Sequence, residues 1–338
     1  MTVIEKETLI GKPIRKFDAP QKARGATRYI HDLNVPNQLY GKIRRSDRIH
    51  ARIVNIDTSK AKALPGVHVV LTAEDVTNNF PLGLSKDNPP LKSGKVRSQR
   101  DEIAAVAAET PEIAEQAVKL IEIEYEDLPI ITDPKEAMKD GAPVIHDSQP
   151  DNITMTWRYD HGDIRTGESE SDVVIEDTFR LHYVTHCCMG VSGIIAEFQP
   201  NGHLLLHSNT QVPFLHKREF AQVLGMSPNE IRIIQPPIGG GFGSKLDIYP
   251  FEPICVFLAK AARRPVKLVF SREEEFIASP TRQPVILTLR SGVTRDGRLT
   301  FRDCGTIHDN GAYTSWGAST PFVMMQTLSS LYRVPHCN

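Results

Sequence analysis

The segment that most constrains this chain is Gln235-Pro236-Pro237-Ile238-Gly239-Gly240-Gly241-Phe242-Gly243-Ser244-Lys245, placed directly after the apolar stretch Ile231-Arg232-Ile233-Ile234. Four glycines around one aromatic residue make a main chain that can come very close to a neighbour and can adopt positive φ. Ordering glycines costs more chain entropy than ordering other residues, so some close approach has to offset that cost. The residues leave two readings open, a loop that lines a ligand and a tight packing turn. A phosphate loop is excluded, because the lysine follows the serine here and the preceding glycine spacing is wrong. The dinucleotide fingerprint is excluded too, by glycine spacing and by the missing acid downstream.

The remaining composition narrows the class. With 338 residues and 40% apolar content, the chain can bury a core and divide into two or three domains. A net charge of -1 and the lack of a long basic stripe argue against a nucleic-acid partner. The spacing of Cys187, Cys188, Cys255, Cys304 and Cys337 fits neither a disulfide scaffold nor a zinc or iron–sulfur site. Met1 to Lys6 lack the apolar core of a signal peptide, and no apolar run approaches a membrane span. The expectation is a reducing, cytoplasmic setting with no membrane contact.

Periodicity gives the organisation. Residues up to about 35 read as an extended arm and entry strand, followed by strands at Leu39–Arg44, Ile53–Ile56 and Val67–Leu71. Asp57-Thr58-Ser59 caps a short helix, and Thr77 to about Ser98 reads as a long loop. Ile103–Ala108 is a strand of small residues. Thr110-Pro111-Glu112 then starts a helix, and Ile121–Glu126 alternates as a strand with one wet face. This is expected to be one strand–helix–strand unit. Further on, strands are expected at Val173–Leu181, Leu204–Ser208, Ile231–Ile234 and Val266–Phe270. A helix should follow Gln211 and reach Leu224, and Phe251–Ala262 has the all-round apolar character of a buried helix. Val285–Leu289 and Leu299–Ile307 form a hairpin through Asp296-Gly297. The predicted class is α+β, with an N-terminal domain over 1–133, a linker over 134–150 and a second domain over 151–338.

Taken in order, several short motifs identify a resemblance. They are Lys22–Tyr29, Arg44-Arg45-Ser46, His50–Ile53, Thr210-Gln211, the glycine run, Arg272-Glu273-Glu274, Asp309–Tyr313 and Tyr332–Pro335. In order and spacing the chain resembles the molybdenum-binding subunit of the xanthine dehydrogenase and aldehyde oxidase family. The resemblance implies a hammerhead-like N-terminal domain followed by the first part of a molybdopterin-binding α+β domain. It makes Gln211 the counterpart of the glutamine that hydrogen-bonds to the apical oxo ligand of molybdenum. It also makes Gly240, Gly241, Phe242 and Gly243 the cofactor-binding wall, with the Gly243 N–H a donor there. Such enzymes oxidatively hydroxylate an electron-poor carbon with oxygen from water, and their electrons leave through 2Fe–2S centres and FAD. The implied cofactor is molybdenum-molybdopterin, with a cytosine dinucleotide as a candidate form of the pterin.

Departures from the family pattern bear on substrate and completeness. Leu246 stands where purine-oxidising members place a glutamate, and Val323 where they place an arginine. An apolar pair cannot read a purine through charged hydrogen bonds. The expected substrates are therefore other N-heterocycles, aromatic compounds or aldehydes. His186 matches a frequent family histidine and is read either as a satisfied structural residue or as part of the pocket. Gly190 replaces an acid common in relatives. Glu273 and Glu274 read as a helix start or a solvated face. Family subunits run to about twice this length, and the glutamate that acts as general base falls in the part not seen here. The expectation is a split or truncated subunit whose partners are a second molybdopterin-binding chain with the C-terminal half, an iron–sulfur subunit and an FAD subunit. The competing expectation is a non-catalytic structural or interaction subunit of the same fold.

Overall fold

A computed structural model describes residues 10–338, and the part of the predicted arm before residue 10 lies outside them. The N-terminal part supplies β1 (Leu39–Arg45), β2 (Ala51–Asp57), β3 (Val67–Thr72), β4 (Lys95–Val96), β5 (Glu102–Ala108) and β6 (Glu122–Asp127). The remainder supplies β7 (Val173–Leu181), β8 (Gly193–Phe198), β9 (Leu204–Ser208), β10 (Ile231–Ile234) and β11 (Val266–Val269). It ends with β12 (Val285–Val293), β13 (Leu299–His308) and β14 (His336–Cys337). Helices and sheets are mixed, as expected. The arm before β1 is not uniformly extended: Ala19–Ala23 is a short helix, and Ile30–Asp32 is a 3-10 turn that buries Ile30.

The main sheet has seven strands in the order β10-β9-β8-β11-β1-β5-β3. It runs through both halves of the sequence, because β1 pairs in parallel with β11, with Leu39 opposite Val266 and Gly41 opposite Leu268. β5 shows why small residues were needed. All seven of its residues are buried, and its side chains alternate between two cores. Ala105 and Ala107 join the core that contains Ile254, Val256 and Leu258 of the helix Phe251–Ala262. Ala104, Val106 and Ala108 join a second core with Ala114, Ala117 and Val118 of the helix Pro111–Lys119. A strand covered by helices on both faces has no polar face to display.

The expected strand–helix–strand unit is present as β5, the helix Pro111–Lys119 and β6, but its two strands lie in different sheets. β5 belongs to the large sheet, whereas β6 lies in a separate sheet of order β4-β2-β6. The cause is in the side chains. Ile123 and Tyr125 of β6 cover a small core of Ala51, Val96 and Ile103, while Glu122, Glu124 and Glu126 face water. A strand with a charged face cannot be sandwiched between helices. The third sheet, β14-β13-β12-β7, contains the predicted hairpin, and β7 pairs with β12 over nine residues.

The long loop before β5 is held by charge burial. Lys92 is 1% exposed and pairs with Glu102 at 3.1 Å, and Arg45 meets the same carboxylate at 2.6 Å. Burial alone would raise Glu102, but Lys92 and then Arg45 hold it below the usual carboxylate range. Next to it, Asp101 accepts the Tyr313 hydroxyl at 2.7 Å, which ties the Asp309–Tyr313 motif to the N-terminal part. Replacing Lys92 by methionine leaves Glu102 buried with one cation instead of two. Lys92→Met should destabilise the fold by about 3 kcal/mol, read as a lowered urea midpoint at unchanged m-value.

Candidate functional site

The glycine run leaves β10 and crosses in front of the residues that follow β9. Gln235 Nε2 donates to the Thr210 carbonyl at 2.6 Å, holding the two chain segments together. Two close approaches explain the glycines. The Gly190 N–H donates to the Gly239 carbonyl at 2.9 Å, and a Cβ on Gly190 would lie 2.9 Å from the Gly239 Cα. A Cβ on Gly241 would lie 2.4 Å from Gln211 Oε1.

Gln211 is fixed by main chain. Its Oε1 accepts the Gly243 N–H at 3.0 Å and the Lys245 N–H at 3.3 Å, and its own N–H donates to the Lys245 carbonyl at 2.8 Å. With the amide oxygen so engaged, the NH2 end is the one left to donate outward. In the structure the Gly243 N–H, expected as a donor to a cofactor, donates to Gln211. That hydrogen is turned back to Gln211, because only a donor can hold the amide oxygen and so fix which end of the side chain faces out.

The second wall is the segment Thr185–Gly190, and cations hold it from behind. Arg272 donates from Nη1 to the Cys188 carbonyl and from Nη2 to the Met189 carbonyl, both at 2.7 Å. Lys245 Nζ donates to the carbonyls of Gly190 at 2.6 Å and Ile238 at 3.0 Å. Lys245 is 4% exposed, and burial pushes its ammonium below the usual lysine range. Buried Glu275 accepts the Ser192 N–H at 2.7 Å. Arg272 and Glu275 sit on the helix Arg272–Ala278, whose first turn is a capping box: Ser271 accepts from Glu274 N–H, and Glu274 accepts from Ser271 N–H. Of the two expectations for this acidic run, the helix start is the one observed at Glu274.

Two non-glycine residues in left-handed backbone flank this contact, Cys187 at φ 48° and Phe242 at φ 51°. Each costs roughly 1–2 kcal/mol, and such strain gathers at functional sites. Phe242 is 75% exposed, an unusual position for a phenylalanine with only a packing role. His186 meets the loop as well. A Cβ on Gly243 would lie 3.7 Å from His186 Nε2 and 4.0 Å from Leu246 Cδ1, so these three predicted residues are brought together. Val323 takes part in none of these contacts; it stands 56% exposed on the helix Thr320–Ser330.

Sequence reasoning missed an acid cluster where the helices Pro213–Leu224 and Phe251–Ala262 meet. Glu252 accepts the Ser208 hydroxyl at 2.9 Å and the Tyr249 N–H at 3.1 Å, and His216 Nδ1 lies 3.5 Å from Glu252 Oε1. Asp247 accepts the Ser315 hydroxyl. Glu219 is pushed up to about 6 by burial and then by Asp247, and burial raises Asp247 as well. The only signals available were the i, i+3 spacing of His216 and Glu219 and the acid within an otherwise apolar helix at Glu252. Among the described residues no group of three or more His, Cys, Asp or Glu is arranged to hold a metal ion. A cavity of about 610 Å³ lies apart from the loop, between Met138, Ile153 and Trp157 on one side and His308 at the end of β13 on the other. No helix among the described residues is long and apolar enough to cross a membrane.

The chain matches known proteins along most of its length. Residues 24–129 match the aldehyde oxidase and xanthine dehydrogenase a/b hammerhead domain, and residues 145–338 match the molybdopterin cofactor-binding domain. The chain is 36% identical over 310 residues to the nicotinate dehydrogenase large molybdopterin subunit of Eubacterium barkeri, covering 91% of this chain and 72% of that protein. It is 30% identical over 332 residues to the carbon monoxide dehydrogenase large chain of Afipia carboxidovorans, covering 92% of this chain but 41% of that one. Among solved structures, quinoline 2-oxidoreductase from Pseudomonas putida 86 superposes with a TM-score of 0.91 at 28% identity, over 98% of this chain and 44% of that chain. Relative to the last two, the chain spans less than half their length.

Two measurements test the packing of the site. Gly241→Ala should cost about 1–3 kcal/mol in urea unfolding, because the new methyl evicts Gln211 Oε1 from its two donors. In a Gln211→Ala background the same change should cost much less, and equal costs in both backgrounds would refute the contact. The second measurement concerns Glu219. Between 4.5 and about 6 the folded chain keeps a proton on this carboxyl that the unfolded chain has released. Its contribution to stability therefore falls as pH rises through that window. Glu219→Gln should remove that slope from the variant, so the melting temperature of the variant should rise relative to that of the parent as pH increases through the window.

Proposed function

The chain belongs to the aldehyde oxidase and xanthine dehydrogenase family, and on that premise we propose that it forms one wall of the active site of a molybdenum hydroxylase. The observation that carries this reading is the fixed amide of Gln211, oxygen inward and NH2 outward, beside a glycine-rich loop. The residues fit a molybdopterin cofactor in two respects. The surface around Gln211 offers a neutral donor suited to an oxo-type acceptor, and Gly243, where an added Cβ would meet nothing nearer than His186 Nε2 at 3.7 Å, leaves room for close approach of a flat group. With no side-chain cluster among the described residues arranged as metal ligands, a metal at this wall would be carried by an organic cofactor.

When bound, molybdenum-molybdopterin would supply two-electron redox chemistry and the activation of water. Gln211 would orient the cofactor through its NH2 group, and Gly240, Gly241, Phe242 and Gly243 would form the wall that holds it. The overall reaction would convert a C–H bond of an electron-poor carbon and one water into a C–OH bond, two protons and two electrons. Leu246 gives the pocket an apolar side next to His186, and Val323 is the second apolar candidate. This composition suits an N-heterocycle, aromatic compound or aldehyde better than a purine. The general base and most pterin contacts would come from sequence beyond this chain, in the same or a second polypeptide. The electrons would pass to 2Fe–2S and FAD centres on partner subunits. The name of the Eubacterium barkeri relative, a large molybdopterin subunit, supports an assembly of several chains.

The test is direct. The assembly purified from its native host should contain close to one molybdenum per copy and should transfer oxygen from isotopically labelled water to product. Gln211→Ala should keep most of the molybdenum and lower turnover about 100-fold, the usual consequence of removing one donor aimed at developing charge. An assembly with neither molybdenum nor pterin would instead identify a non-catalytic subunit of the same fold.

A further inference from the structure

We propose that His186 is a specificity-determining residue that reads a hydrogen-bond donor, an N–H or O–H, on the ring of the substrate. The proposal rests on the reading of this wall as part of a hydroxylase and adds what kind of molecule the wall selects. Its basis is the orientation of one imidazole ring. His186 Nδ1 lies 3.2 Å from the Pro280 carbonyl. A carbonyl oxygen can only accept, so Nδ1 carries the ring hydrogen in the neutral form, and Nε2 is left with its lone pair. Nε2 faces the glycine turn, 3.7 Å from the point where a Cβ on Gly243 would stand. Leu246 Cδ1 approaches the same point at 4.0 Å from another direction. The space over Gly243 is thus bordered by one acceptor and one apolar side chain, with exposed Phe242 next in the chain.

The main chain that carries His186 is held more firmly than a packing role requires. Cys187, the next residue, is in left-handed backbone, and Arg272 grips the two carbonyls after it with both arms of its guanidinium. Pro280, the acceptor for Nδ1, lies two residues beyond the helix that bears Arg272. One helix and its exit therefore set both the position of the ring and its tautomer. An acceptor held in this way favours a ring with a donor and gives no advantage to a ring that lacks one.

The experiment compares isosteric pairs in which hydroxyl is replaced by fluorine, so that size stays and the donor goes. The purified assembly is titrated calorimetrically with 2-, 3- and 4-hydroxybenzaldehyde and with the three matching fluorobenzaldehydes, a binding measurement that does not depend on turnover. At least one hydroxy isomer should bind about tenfold more tightly than its fluoro partner. His186→Ala should erase that ratio, and His186→Gln, whose amide oxygen can accept, should restore part of it. Melting temperature and molybdenum content of each variant separate loss of the reader from loss of the fold or cofactor. Equal affinities within every pair, no binding of either member, or a ratio that survives His186→Ala would overturn the proposal. Absence of molybdenum with the ratio intact would count against the hydroxylase reading and leave the donor-reading role standing.

Discussion

The site depends on Lys245. Its backbone N–H donates to Gln211 Oε1, and its carbonyl accepts the Gln211 N–H and the Thr210 hydroxyl. Its ammonium reaches the carbonyls of Gly190 and Ile238. One residue thus ties the glycine loop to Gln211 on one side and to the Thr185–Gly190 wall on the other. A buried ammonium is expensive to desolvate, and among the described residues Lys245 makes no ion pair. Two carbonyls at short distance compensate part of that cost.

Much of this was legible in the sequence, for reasons that can be named. The glycine run announced a close approach, and Gly190, Gly239 and Gly241 make it. Thr110 announced a helix start, and its side chain accepts from the first turn. These signals are local, set by a few neighbouring residues. What was not legible is long-range. The separation of β5 from β6 follows from which strand can be covered on both faces, a property of helices elsewhere in the chain. The grip of Arg272 on Cys188 and Met189 joins positions more than eighty residues apart. Nothing in the run Arg272-Glu273-Glu274 indicates that partner. The acid cluster is a similar case, since His216 and Glu252 come from two helices that meet only in the folded chain.

The fold explains why this wall can be rigid. β1 pairs with β11, so strands from the hammerhead part and from the molybdopterin-binding part share one sheet. Phe270 continues from β11, stacks on Phe251, and lies under the Arg45 guanidinium. Lys42 of β1 pairs with Glu274 at 3.0 Å, which joins the first strand to the helix that carries Arg272. The loop is thereby anchored from below by elements far apart in sequence, and cooperative packing of that kind resists local opening. The opposite holds for the β14-β13-β12-β7 sheet, where all nine residues of β7 are exposed, including Ile175, Phe179 and Leu181. The two regions differ in burial because helices cover both faces of the large sheet but not of this one.

The distribution of acids limits what this chain can do chemically. General-base catalysis requires a carboxylate within hydrogen-bond reach of the proton it removes. The carboxylates nearest the site in sequence, Asp247 and Glu252, are buried and already accept hydrogen bonds from Ser315, Ser208 and Tyr249. Glu275 is buried and committed to Ser192, and Glu274 to the helix cap and Lys42. On the exposed side the wall offers an amide, glycine backbone, an aromatic ring, one imidazole and a leucine. On the proposed reading these groups would orient and select, and none of them is a carboxylate. A wall of this kind makes sense as one side of a cleft whose proton-transferring group stands opposite, which is the division of labour that the hydroxylase reading requires.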